Sequence, residues 1–203
     1  MPSRREFIQA GLAASVAPIA FPIRDTVSRP PHVDPVSSFH HSLYSVVSDV
    51  RSRWSADLAH EAERLGARVV RTNGDITDFW FADLARQWKD APVAIGGLTA
   101  RGPLFCLERF GWDHGLRVVF HGTHRFIDGG YVEHTLAGPF RTIAAAHSSL
   151  TGADWPSHLA RLVTACAVTR DTASTTLRAA WSGERDADVD ETLVSWVIAP
   201  KHA

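Results

Sequence analysis

Four histidines, His114, His121, His124 and His134, fall within one short stretch together with Asp113, Asp128 and Glu133. Imidazoles and carboxylates at this density raise two chemistries, ligation of a divalent metal and general base catalysis. His121, His124 and Asp128 are the candidate metal ligands. On a strand, however, His121 and His124 differ by an odd step and project to opposite faces unless the chain bulges at Gly122. Neither an HExxH helix nor a cysteine set completes a site. His114 closes a predicted helix, where its charge suits the dipole, and His134 is expected on a hairpin surface. No GxSxG motif marks a serine as a nucleophile, and Cys106 sits in an apolar run.

Anion capture is the other chemistry on offer. Gly96-Gly97-Leu98-Thr99-Ala100-Arg101-Gly102 lies between a predicted strand and a predicted helix. It has neither the GxGxxG spacing of a dinucleotide loop nor the Gly-Lys-Ser/Thr end of a P-loop, and close strand-to-helix contact accounts for its glycines. Arg101 beside a helix start is still suited to a carboxylate or phosphate.

Short apolar runs alternate with helical periodicity, which predicts the α/β class. The expectation is one three-layer domain over 39–203, with a mainly parallel sheet, helices on its faces and antiparallel strands added in the C-terminal half. Strands are expected at Leu43 to Val47, Ala67 to Arg71, Pro92 to Gly97 and Leu116 to Phe120, the last paired in parallel and buried on both faces. Arg51 to Leu65 places Trp54, Leu58, Ala62 and Leu65 on one helical stripe, with Gly66 as a left-handed cap. Further helices are expected from an Asp75 N-cap to Asp90 and over Pro103 to His114. Asp128-Gly129-Gly130 then joins Arg125 to Ile127 with Tyr131 to Glu133 as a hairpin. Helices over Phe140 to Leu150 and Pro156 to Val168 follow, and strands at Thr175 to Trp181 and Glu191 to Ile198 flank the acidic loop Gly183 to Asp190.

Open parallel sheets hold ligands beyond the carboxyl ends of their strands. That edge carries Asp49, Asp75, Thr99, Arg101 and His121, the candidate ligand-binding residues. Helix capping also accounts for Asp75 and Thr99 without any ligand. Phe79, Trp80 and Phe81 are consecutive and cannot share a helix face, so at least one is expected near the surface. Trp80 is the candidate to flank a pocket or meet a partner.

Ahead of the domain, Ser3-Arg4-Arg5-Glu6-Phe7-Ile8 precedes the apolar run Ala10 to Phe21. This stretch resembles a bacterial twin-arginine export signal, with Arg4, Arg5 and Phe7 on matching positions and Gln9 where lysine is frequent. The resemblance spans 1–23 and implies delivery to the periplasm or beyond by the twin-arginine translocation machinery, with the passenger folded before it crosses. The run from Ala10 to Ile23 is about 14 residues, broken by Pro18 and Pro22, and falls short of the ~20 that a stable membrane span needs. A Pro-rich spacer, 24–38, leads into the domain.

Composition narrows the functions further. A 45% hydrophobic content with seven tryptophans supports a packed core, and a formal charge of -1 offers no basic field for nucleic acid. The two cysteines, Cys106 and Cys166, permit one disulfide, but each lies in an apolar run that equally suits a buried thiol. No motif specifies a cofactor. Three functions follow, in order: an accessory or small subunit of an exported cofactor-bearing enzyme, foremost an oxidoreductase; a periplasmic binding module for a small anionic or polar ligand; and an enzyme using His121 or His124 as base or metal ligand.

Overall fold

A computed structural model describes residues 39–40, 42–127, 129–180 and 192–200. The signal with Arg4, Arg5 and Phe7, the spacer 24–38, Asp128 and the acidic loop 183–190 lie outside the described residues. The first half of the domain runs β1 (Phe39–His40), β2 (Ser45–Asp49), α1 (Arg53–Arg64), β3 (Val69–Thr72), α2 (Thr77–Phe79), a π-helical turn (Trp80–Leu84), α3 (Ala85–Asp90), β4 (Ile95–Thr99) and α4 (Arg101–Asp113). The second half runs β5 (Leu116–Ile127), β6 (Tyr131–Pro139), α5 (Phe140–Ser149), α6 (Trp155–Thr164), β7 (Ala167–Val168), β8 (Thr172–Ala180) and β9 (Thr192–Pro200).

Seven strands form one mixed sheet in the order β3-β2-β4-β9-β5-β6-β8, while β1 and β7 pair separately. The α/β class stands, with parallel pairing confined to β3-β2-β4. Leu116 to Phe120 gains no parallel neighbour, because the last strand, β9, inserts antiparallel between β4 and β5. Burial explains the choice of centre. β9 is buried on both faces from Leu193 to Ala199, whereas β8 alternates between half-buried and exposed positions and takes the edge. The two expected strands Leu116 to Phe120 and Arg125 to Ile127 are one continuous β5, irregular between Val118 and Phe120. The expected helix Pro156 to Val168 ends at Thr164, and Ala167–Val168 turns back to pair with β1.

Strand alternation sends side chains to two helical layers. Val46, Leu193 and Val197 pack with α1, α5 and α6, while Val47, Val194, Trp196 and Ile198 pack with the α2 to α3 segment and α4. Cys166 belongs to the first layer and Cys106 packs against the second, so the sheet separates them and both are free thiols. Burial pushes the Cys166 thiol up to about 11, which makes it an inert core group.

Local signals fix how the carboxyl edge is built. Ser52 caps α1 by accepting the Ser55 N–H, and the helix ends where Gly66, at φ 85°, lets Ala67 N–H reach Ala62 O and Gly66 N–H reach Glu63 O. Leu65, expected on the apolar stripe, is the capping residue and stands 44% exposed. The glycine pair in β4 serves packing. A Cβ at Gly96 would lie 2.7 Å from Val163 Cγ1 of α6, and one at Gly97 would lie 3.0 Å from Trp196 Cζ2, so only glycine lets the neighbours close on this strand from both sides.

Candidate ligand-binding cleft

β2 lies between β3 and β4, so the sheet grows first to one side and then to the other. Such a reversal leaves a crevice beyond the strand ends. Here the floor of that edge is tied by fold-forming polar groups. Asp49 is buried, and its carboxylate accepts from Arg51 Nε and Nη2, at 2.9 and 2.6 Å, and from the Arg51 backbone N–H. Burial alone would raise its pKa, but the Arg51 hydrogen bonds and charge, with the Ala100 N–H, hold it below the usual aspartate value. Thr99 is also buried, donating to Ala100 O and accepting the Trp196 indole N–H at 3.2 Å. Both residues, expected at a ligand, instead join the loops after β2 and β4 to the sheet.

The open part of the crevice lies between the connection after β3 and α4. Asp75 starts one wall, its Oδ1 accepting the Thr77 N–H at 2.8 Å, and this bonding keeps its carboxyl below the ordinary range. The end of α2 and the π-helical turn then fan out three consecutive aromatics: Phe79 is buried, Trp80 is half-buried and Phe81 is 76% exposed. The aromatic expected at the surface is therefore Phe81 more than Trp80. Trp80 stacks on Phe110 of α4 with ring centres 4.2 Å apart and meets Trp88 edge-on at 5.8 Å. Gly102, Pro103, Phe105 and Cys106 complete the opposite wall, with Phe105 57% exposed. The cleft has a volume of about 330 Å³. Its walls are aromatic, and its polar groups are Asp75 and Thr77 at the rim.

Arg101 and His121 are not part of this lining. Burial first, and then the Arg101 charge, lower the His121 pKa, while Glu108 opposes the shift. The pair sits instead on the α4 side of β5, and His121 borders a shallow groove with Val119, Gly138 and Ser174. Of the five edge residues named from the sequence, Asp75 alone reaches the cleft. No family model, curated protein or solved structure matches the chain. Its chemistry therefore has to be read from its own geometry.

His121 and His124 project to opposite faces, as the odd step between them predicts, and it is His134 that departs from the expected arrangement. His124 faces the α1, α5 and α6 layer, opposite in direction to His121, so the two share no ligand. His134, expected on the hairpin surface, is buried directly opposite His124. Their Nδ1 atoms are 2.6 Å apart, and His124 Nε2 lies 2.8 Å from Ser195 Oγ. The Ser195 hydroxyl has no other acceptor among the described residues. The assignment that satisfies the inner atoms has Ser195 donating to His124 Nε2 and His124 Nδ1–H donating to His134 Nδ1. His134 Nε2 and the Trp155 indole nitrogen are then buried without a partner among the described residues.

A serine, an imidazole and a second imidazole in series have the order of a nucleophile, its base and an orienting group. Access decides against that use. His124, His134 and Ser195 each have 0% exposure, and the Trp155 ring stacks over His124 at 5.0 Å. A substrate carbonyl has no approach to Ser195, so the network is a polar core element. Among the described residues, no three His, Cys, Asp or Glu side chains gather as metal ligands. The sequence signal for the pair was present: a three-residue turn that closes Ile127 onto Tyr131 sets His124 opposite His134.

Proposed function

We propose that this chain is an exported binding module whose aromatic cleft, at the carboxyl ends of the parallel strands, holds a small molecule with an apolar or aromatic body. One observation carries the reading: Phe81 and Phe105, 76% and 57% exposed, stand on two helical walls around a concave volume of about 330 Å³. Large aromatic rings left open to water in a cleft have contact area to give a ligand at little entropic cost. Asp75 and Thr77 supply the orienting polar groups at the rim. Phe81→Ala and Phe105→Ala should each weaken a bound aromatic fragment about tenfold, with stability within ~0.5 kcal/mol of the parent. Unchanged affinity in both variants, measured by isothermal titration, would remove the cleft from the account.

Export is part of the same proposal, supported by Arg4, Arg5 and Phe7 ahead of the Ala10 to Phe21 run. Replacing both arginines with lysine should leave the protein in the cytoplasm, as fractionation would show. Periplasmic accumulation at the parental level would contradict that.

A second reading makes the chain an accessory subunit of an exported cofactor-bearing enzyme. It is favoured by Trp112, 42% exposed beyond Phe105 on α4, with the Arg109 guanidinium 4.3 Å from its ring and 5.3 Å from that of Phe105. Exposed tryptophan and arginine are what protein interfaces concentrate at their centres. Trp112→Ala should abolish co-purification of a stoichiometric periplasmic partner on this reading and leave fragment binding intact on the first.

A further inference from the structure

We propose that a second site, on the opposite helical layer and at the opposite edge of the sheet, binds a short-chain monocarboxylate. A cavity of about 210 Å³ opens between α5, the end of α6 and β7. Its floor is apolar, built from Ala145, Leu162, Ala165 and Ala167, and its two charged lining residues are Arg141 of α5 and Arg161 of α6. No acidic side chain lines it.

The charge balance around the cavity is uneven. Glu61 of α1 accepts from Arg161 Nε at 2.8 Å and also from Arg64 at 2.7 and 2.8 Å, so two guanidinium groups share one carboxylate. Arg141 is exposed and makes no hydrogen bond or ion pair among the described residues. Two arginines on separate helices, only one of them partly neutralised, present planar donors suited to a carboxylate. The alanine and leucine floor suits a hydrocarbon body, which a bare inorganic anion lacks. The cavity, about 210 Å³ and open on one side, suits a small organic acid, for which a six-carbon chain is a convenient probe. Arg101, the arginine singled out in the sequence, lines neither this cavity nor the aromatic cleft.

The experiment titrates the full-length protein with hexanoate and with hexanol, its neutral counterpart, following the thermal transition and the heat of binding. Hexanoate is expected to raise the transition temperature saturably, hexanol to have little effect, and higher salt to weaken the acid severalfold. Arg141→Gln should weaken hexanoate at least tenfold at an unchanged unfolding midpoint, since the side chain has no partner to lose. Phe81→Ala should leave hexanoate binding intact, which separates this site from the aromatic cleft. Equal binding of hexanol, retention of hexanoate by Arg141→Gln, loss on Phe81→Ala, or no binding at 10 mM would each overturn the proposal.

Discussion

Lowering the pH from 7 to 5 is expected to remove about 2 kcal/mol of folding stability through His134, and His124 adds a loss in the same direction. Both imidazoles are sealed in the core, where burial holds His134 down to about 4 and burial, with the neighbouring histidines, holds His124 well below its usual value. In the unfolded chain each returns to near 6.5. The unfolded chain therefore binds more protons than the fold in that interval. Stability is complete above about pH 6.5 and falls as the pH drops toward 4. The lowered carboxylates, Asp49 and Glu133 among them, act in a separate range, because their contribution is lost only below the ordinary carboxylate pKa near 4. Urea unfolding at pH 7 and pH 5 measures the difference. His134→Asn should reduce it, and identical unfolding free energies at the two pH values in the parent would show that the imidazoles are not sealed.

Gly122→Ala should destabilise the fold by about 2–4 kcal/mol, although alanine is ordinarily the better strand residue. Gly122 faces Ser195 across the β5–β9 pair. A Cβ there would fall on Ser195 Oγ and lie 2.7 Å from Leu136 Cδ2 and 3.1 Å from His124 Nε2. The hydroxyl can rotate away only by giving up its bond to His124, and Leu136 is fully buried. Overpacking and a broken buried hydrogen bond thus fall on one atom pair. Gly102 provides the contrast. A Cβ there meets nothing within 4 Å, so Gly102→Ala in the first turn of α4 should be neutral or stabilising by ~0.5–1 kcal/mol. Equal midpoints for the two alanine variants would contradict the close approach at Gly122.

What the sequence conveyed well was local. Gly66 as a left-handed cap, the turn at Gly129 and Gly130, and the tight contact at Gly96 and Gly97 each follow from a steric need that one residue type meets. Sheet order was not local. Leu193 to Ala199 is apolar enough to be buried on both faces, yet nothing near it states that the final strand enters between β4 and β5. The same limit applies to the site. Asp49 and Thr99 have the residue types of ligand groups, and only the tertiary contacts with Arg51 and Trp196 turn them into fold ties. Phe105, Cys106 and Phe110 have helix-core spacing, and the π-helical turn that aims Phe81 toward them has no residue signature of its own. His134 was readable from the hairpin register, but Ser195 lies 71 residues from His124.

The central claim is that ligands enter between the π-helical turn and α4. Amide-shift mapping of the folded protein with a bound aromatic fragment tests it most directly. Changes are expected to concentrate at Gly74, Asp75, Thr77, Gly102 and Cys106 and to be lost together in Phe81→Ala. Shifts centred instead on His121 and Ser174, or persisting unchanged in Phe81→Ala, would contradict it.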